Sequence, residues 1–266
     1  MERAQPKSEL RTLASYPGGL LLKAATVRAR WKLAAMLGAK HSRLKHLEFE
    51  RPVEIVVHAA GIDVLGRSDL SGGGPGYIAG YFRALLELDR AVPCERIFEF
   101  CAGPGYIGYS LLAAGFCQKL TLADVNPESV DLARRTAERA GGADRVSVHL
   151  SDALEQIPDD ERWDIVVGNP PHFLPEKPPN ELPRGLDTTS IIYFDPDWEV
   201  HRKFYSRVKR FMKPGGLVVM LEDGDGSVPE DFVEMIADAG GEFLSAPPEL
   251  DVRGRKTPNY YMISRW

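Results

Sequence analysis

The chain has 266 residues, 44% of them hydrophobic, with a formal net charge of −5 and a sequence pI near 5.8. That length allows one large domain or one domain with an appendage, and the acidic balance excludes the chain-wide basic character that signals nucleic acid. Three cysteines (Cys94, Cys101, Cys117) form no CxxC pair, the start MERAQPKSEL lacks an apolar signal stretch, and the GGLLLKAATV run is far short of a membrane span. We therefore expect a cytoplasmic protein with no membrane contact and no metal.

Taken in chain order, residues 1–50 hold ten Lys/Arg against four Glu, a basic leader that reads as a solvated helix face or a contact surface for an anionic partner. Residues 8–48 have helical composition with a break at Pro17-Gly18-Gly19. The β-branched run VEIVVHAAGIDVL (53–65), interrupted at Ala59-Ala60-Gly61, predicts a hairpin. The loop SGGGPG leads into a helix over 77–88.

From there strands and helices alternate. Strand 96–100 precedes a glycine turn and a helix near 105–115. Strand 119–125 precedes a helix opened by Asn126-Pro127-Glu128 and ended by Gly141-Gly142. Strand 145–150 follows, then the strand WDIVVG and a Pro-rich segment to 196. A helix over 197–212 stops at Lys213-Pro214-Gly215-Gly216, before strand 217–222, a helix at 229–239 and strands near 242–246 and 259–265. This alternation predicts an α/β, doubly wound, mostly parallel sheet, and the turn-rich link before the last strand makes the final pair antiparallel. The aromatic run Trp198, Phe204, Tyr205 and Phe211 has helical spacing and reads as core packing.

Two stretches carry chemistry. EFCAGPGYIGYS places Gly103-x-Gly105-x-x-Gly108 between a strand and a helix, where glycines let the backbone approach a ligand. Asp124 ends the next strand, where a carboxylate can accept ribose hydroxyls. WDIVVGNPPHF ends a buried strand with an amide, two prolines, an imidazole and a phenyl ring. Prolines cannot donate to a sheet, so the strand stops there.

With these motifs in this order, residues 72–266 resemble the class I S-adenosylmethionine-dependent methyltransferases. The matching positions are Glu99 with Gly103 and Gly105, Asp124, Asp152 in LSDAL, Asn169-Pro170-Pro171-His172, the KPGG before the fifth strand, and the closing antiparallel hairpin. The resemblance implies a Rossmann-like, seven-stranded sheet over a catalytic domain at 71–266, behind a small helical and hairpin extension at 1–70. It implies S-adenosyl-L-methionine as cofactor, with Glu99 near the methionine end, Asp124 on the ribose, Asp152 near the adenine amino group, and Gly103, Gly105 and Asn169 completing that site. Cys101 stands where the family more often has glycine, so the loop opening is expected to be tighter or differently set.

In this family an Asn-Pro-Pro-aromatic tetrad resembles the signature of N-methylation at planar nitrogen. Asn169 and Pro170 would accept the N–H groups of the acceptor. His172 replaces the usual aromatic; it would cover the acceptor face or act as a base, and Phe173 could supply the face instead. The segment 171–196 is long for its place and predicts a lid, with Arg184, Asp187, Tyr193 and Asp195 as polar contacts. Of these, Asp187 and Tyr193, with His172 and Phe173, form the expected substrate site. His201 reads as a surface histidine near the same rim.

The acidic set Glu176, Glu181, Asp187, Asp195 and Asp197 suits a cationic acceptor, so we expect a small amino-acid-like, guanidine or amide substrate. A protein glutamine side chain and an rRNA or tRNA base remain alternatives: the layout is similar to that of the release-factor glutamine methyltransferases, although the leader is shorter. A non-catalytic cofactor-binding partner subunit is the reading from another class. Oligomeric state is not readable.

Overall fold

The computed structural model describes residues 12–13, 52–70, 74–88, 92–142, 144–179, 190–250 and 254–266. Within the leader only Thr12–Leu13 (β1) fall in this set, and they form a strand rather than a helix, paired parallel to β2 (Glu54–Ala59). The rest of the expected leader helices lie outside the described residues.

β2 turns back into β3 (Ile62–Arg67) through Ala60 and Gly61, whose φ values of 53° and 93° are both left-handed. Consecutive left-handed residues match the twist of the flanking strands, which is why Ala-Gly makes a tight hairpin here. Val57 and Val64 are fully buried and share a core with Tyr106, Ile107 and Tyr109, so the hairpin is packed against the body of the fold. Thr136 fastens it by accepting the Leu65 amide at 3.0 Å.

Among the described residues the main sheet has eight strands. Helix α1 (Gly74–Glu87) leads in, followed by β4 (Cys94–Phe100), α2 (Tyr106–Ala113), β5 (Cys117–Asp124), α3 (Pro127–Arg139), β6 (Val146–Leu150) and β7 (Trp163–Gly168). Then come α4 (Glu199–Val208), β8 (Met212–Asp223), α5 (Glu230–Asp238), β9 (Glu242–Ser245), β10 (Pro248–Leu250) and β11 (Lys256–Arg265). The spatial order is β6-β5-β4-β7-β8-β11-β10, with β9 also on β11. β4 to β8 are mutually parallel and β11 runs antiparallel to β8.

This is the Rossmann-like methyltransferase architecture with one difference from the expected seven strands. The penultimate strand is broken by Ala246-Pro247 into β9 and β10, because proline cannot keep the ladder. β8 also starts earlier than expected and absorbs Lys213-Pro214-Gly215-Gly216, with Gly215 at φ 78° and a register shift against β7. The helix expected over 197–212 is regular only over 199–208, and the turns on either side, 196–198 and 209–211, are 3-10.

Strand alternation divides the core. Ile97 faces the hairpin side with α1 and α2, while Phe98 and Phe100 face α4 and α5. There Phe98 stacks on Trp163 with ring centroids 4.0 Å apart, and Phe100 on Phe204 at 4.4 Å. Trp198, Phe204, Tyr205 and Phe211 are all buried in this layer, as their spacing predicts. Asn126 caps α3 by accepting the Glu128 amide at 2.9 Å, with Pro127 opening the helix.

Candidate active site

The strand order reverses between β4 and β7, and crevices at the carboxyl ends of strands flanking such a reversal are where open α/β sheets bind ligands. A cavity of about 360 Å³ lies there, lined by Glu99, Gly103, Asp124, Asp152, Asn169 and Lys203 among others. Glu99, Gly103, Asp124, Asp152 and Asn169 are thus brought to one cavity. Gly105 lies behind the wall, as the φ 86° residue that opens α2.

The glycine loop is shaped by close approach. Glu99 Oε2 accepts the Gly108 amide at 2.7 Å, and a Cβ on Gly108 would lie 2.5 Å from that oxygen. Asp124 closes the loop from the other side, accepting the Gly103 amide at 2.7 Å and the Asn126 amide at 2.8 Å. Cys101 adopts φ 50°, so the position that departs from the family pattern takes the left-handed conformation glycine would take freely. Asp152 Oδ2 accepts from Lys203 Nζ at 2.8 Å across the cavity wall.

Electrostatics mark Glu99. It is 2% exposed, and burial pushes its carboxyl up to about 8 despite the Gly108 and Ile107 amides. No side-chain cation among the described residues offsets it. A buried carboxylate without a cation beside it is a place for a ligand's positive charge. Asp124 is also raised by burial, against the Asn126, Gly103 and Val125 amides, and its remaining acceptor capacity suits hydroxyl donors. This set of acceptors therefore fits adenosylmethionine: Glu99 would hold a cationic tail, Asp124 ribose hydroxyls and Asp152 an exocyclic amine, with the open glycine backbone between them.

The Asn-Pro-Pro-His stretch is arranged differently from expectation. Asn169 lines the cavity and is half-buried, and Pro170 is buried behind it. His172 does not line the cavity; it is 9% exposed, with Nε2 at 3.1 Å from Asn169 Oδ1 and Nδ1 at 3.3 Å from Glu222 Oε2. Phe173 is buried between Phe194 and Gly226, and the Tyr193 carbonyl accepts both the His172 and Phe173 amides. Burial raises the Tyr193 phenol above its ordinary value. Arg184, Asp187 and Glu181 lie outside the described residues.

Two readings are corrected. His201 is not a surface residue: it is 1% exposed, with Nδ1 at 2.6 Å from Asp195 Oδ2 and Nε2 at 3.2 Å from Glu222 Oε1. Asp195, fully buried, also accepts the Val200 and His201 amides at 2.8 and 3.2 Å and so anchors the start of α4. Its carboxylate is committed inside the protein and does not add to an acidic rim. Glu222 and Lys203 escaped the sequence reading altogether. Glu222 follows the apolar run Leu217 to Leu221 near the end of β8, 50 positions from His172, and nothing local marks it.

Residues 83–178 match the family model "Methyltransferase small domain". Among curated proteins, the chain is 27% identical over 139 residues to a release factor glutamine methyltransferase of Clostridium acetobutylicum, covering 51% of this chain and 49% of that protein. It is 26% identical over 175 residues to the same-named enzyme of Cereibacter sphaeroides (64% and 61%), and 26% over 177 residues to a ribosomal protein uL3 glutamine methyltransferase of Bradyrhizobium diazoefficiens (62% and 54%). The aligned stretch thus spans about half the length of the first of these relatives. Among solved structures, a T. thermophilus 16S rRNA N2 methyltransferase in complex with AdoMet and guanosine superposes with TM-score 0.53 at 13% identity, over 80% of this chain and 50% of that one. A putative methyltransferase complexed with SAH, SMU.776, gives 0.53 at 13% identity, over 83% and 58%. No helix among the described residues is long and apolar enough to cross a membrane. The chain carries an α/β Rossmann-like methyltransferase fold, and its residues 83–178 are similar to the methyltransferase small domain.

Proposed function

We propose that the protein is an N-methyltransferase whose acceptor is the side-chain amide of a protein glutamine. The observation that carries this reading is Asn169, held at the end of β7 on the wall of the cavity that Glu99 and Asp124 also line. The glutamine methyltransferases among its relatives favour this acceptor over the small amino-acid-like or guanidine substrate suggested by the sequence. The cationic-substrate reading also loses Asp195, which is buried against His201. Val125 and Ile191 line the cavity and are 52% and 61% exposed, which offers apolar contacts to the chain around an acceptor side chain.

The bound cofactor supplies a methyl group already activated on a sulfonium. The protein's task is orientation. An amide nitrogen is a poor nucleophile because its lone pair is delocalised, and it has two N–H bonds to direct. The Asn169 side-chain oxygen accepts one, holding the nitrogen in line and favouring the positive charge that develops on it, whereas Pro170, expected to accept the other, does not line the cavity. Two prolines keep this edge rigid and place no N–H there to compete. Methylation of that nitrogen would release one of its two amide protons to solvent and leave the other for Asn169 to hold. The release factor and ribosomal protein named for its relatives support a cytoplasmic activity within this reading.

The test is methyl transfer from labelled adenosylmethionine to a cell extract separated into protein, RNA and small-molecule pools. We expect label in protein, mapped by mass spectrometry to a glutamine side-chain nitrogen. Label confined to RNA or to small molecules would overturn the acceptor assignment. Cofactor binding with no label in any pool would favour a non-catalytic binding subunit.

A further inference from the structure

Tyr81, in the middle of α1, is fully buried, and its hydroxyl stands between the ends of two sheet strands. It donates to the Gly168 carbonyl at the end of β7 and accepts the Leu221 amide of β8 at 3.1 Å. Gly168 and Met220 are the last register pair between these parallel strands, so Leu221 is the first β8 residue beyond the pairing. A helix side chain thus supplies the rung that follows the last backbone match. The Tyr81 ring is itself held, edge to face against Tyr261 with centroids 5.2 Å apart. Burial strongly favours the neutral phenol, so the one proton it has to donate stays in place.

What this rung controls follows from the peptide unit. A peptide is planar, so its carbonyl oxygen and the next Cα move as one body. The Gly168 oxygen and the Asn169 Cα belong to the same unit. Pairing of β7 to β4 and to β8 ends at Gly168, and Pro170 and Pro171 have no N–H to tie the chain to a neighbour. Gly168 has no side chain to restrict its own dihedrals. It has to be glycine: a Cβ there would lie 2.7 Å from Met220 Sδ and 3.0 Å from the Phe100 carbonyl oxygen. The most permissive residue type therefore stands directly before Asn169, and a hydrogen bond from α1 restrains it.

We propose that Tyr81 is a positioning residue for Asn169: its hydroxyl ties the peptide that carries Asn169 to β8 and so sets where the Asn169 side chain meets the acceptor. This rests on the reading that Asn169 accepts an acceptor N–H. The restraint acts on the backbone of Asn169, whatever its side chain touches.

Tyr81→Phe removes the hydroxyl and keeps the ring. Single-turnover transfer from labelled adenosylmethionine to the protein fraction of a cell extract should become about 10- to 100-fold slower, the upper figure being the scale of a misplacement of about 1 Å. Cofactor affinity by calorimetry should keep its wild-type value. Tyr261→Phe is the control: its hydroxyl is buried against Gly80 of the same helix and has no hydrogen-bond partner among the described residues, so transfer should keep its wild-type rate. An equal loss in Tyr261→Phe would reduce the effect to a loosened core and overturn the inference. A wild-type rate in folded Tyr81→Phe, or a cofactor affinity that falls in step with transfer, would also overturn it.

Amide NMR of the isotope-labelled full chain gives a readout without turnover. The Asn169 and Leu221 amide signals should move in Tyr81→Phe while those of Gly103 and Gly108 stay. An unmoved Asn169 amide overturns the inference even where transfer is slow, and leaves the glutamine reading standing. In the wild type, the Leu221 amide hydrogen should exchange as slowly as those within the β7–β8 ladder. Rapid exchange overturns the inference whether or not the variant folds. Should the wild type methylate no protein, the glutamine reading falls, and the two amide measurements decide the role of Tyr81.

Discussion

At the cofactor end of the cavity, Glu99, Gly103, Gly108 and Asp124 come from one stretch of chain, and two carboxylates are held there by backbone amides at 2.7 Å. At the other end, Asn169, His172, Asp195, His201 and Glu222 come from the β7 edge, the segment before α4, α4 and β8, and are linked mainly through side chains up to 50 residues apart. The first end is a backbone shape, maintained by glycines and tolerant of what surrounds it. The second is a set of buried charges in which each group depends on the next. One end leaves a carboxylate in want of a cation, and the other has already neutralised most of its own charge. The function proposed above, binding a cationic cofactor and orienting a neutral amide, would ask for this contrast.

The contrast breaks most severely at Glu222. Glu222→Ala leaves His172 without its Nδ1 acceptor and His201 with one carboxylate, and removing one partner of a buried ionic network costs about 3–5 kcal/mol. Chemical denaturation should show that loss as a lower midpoint; a loss within the range of a surface substitution would mean the chain of contacts is slack. At the other end Gly108→Ala drives a methyl into Glu99 Oε2 and the Leu120 side chain. Overpacking of this kind costs about 1–3 kcal/mol, and here it should appear as weaker cofactor binding by calorimetry. Unchanged affinity would show that the Glu99–Gly108 contact does not shape the site.

Both ends respond to pH: Glu99 and His201 lose their contributions as pH rises, and Glu222 loses its own as pH falls. Glu99, raised to about 8 from 4.5, holds a proton in the folded state that the unfolded chain has released, so its contribution to stability falls as pH rises through that window. A cation beside Glu99 reverses the preference, so cofactor binding should release a proton below about pH 8 and tighten as pH rises toward it. Calorimetry in buffers of different ionisation enthalpy measures the released proton, and Glu99→Gln should abolish it. The His201 contribution, from a group raised to about 9, is fully present below its ordinary 6.5 and is lost as pH rises through 9. Glu222, lowered, contributes above the ordinary carboxylate value and loses its contribution in acid. The smallest effect is expected at Asp152, whose bridge to Lys203 is 43% exposed on the acid side. Asp152→Asn should change stability by less than about 1 kcal/mol, so a larger shift in melting would mean the bridge closes the cavity rather than decorating its rim.

The same difference explains what could be read from the sequence. The glycine loop and Asp124 were legible because a strand, a turn and a helix N-terminus occur in order within a short stretch. Asn169 was legible because prolines stop a strand where a strand should continue. His201 was misread as surface because a histidine between charged neighbours on a helix looks solvated, and only the fold reveals that Asp195 and Glu222 enclose it. Asp195 was misread as a rim acid for the same reason. The split of the penultimate strand was signalled by Pro247 and Pro248, but strand pairing across β11 had to be known before that signal had meaning.

The most direct measurement is cofactor affinity and single-turnover methyl transfer in Asn169→Ala beside the wild type. If the two ends divide the work, affinity stays nearly intact while transfer falls by about 100-fold or more, the scale of losing one well-placed hydrogen bond to developing charge. An active Asn169→Ala enzyme, or one in which affinity and transfer fall together, would contradict that division.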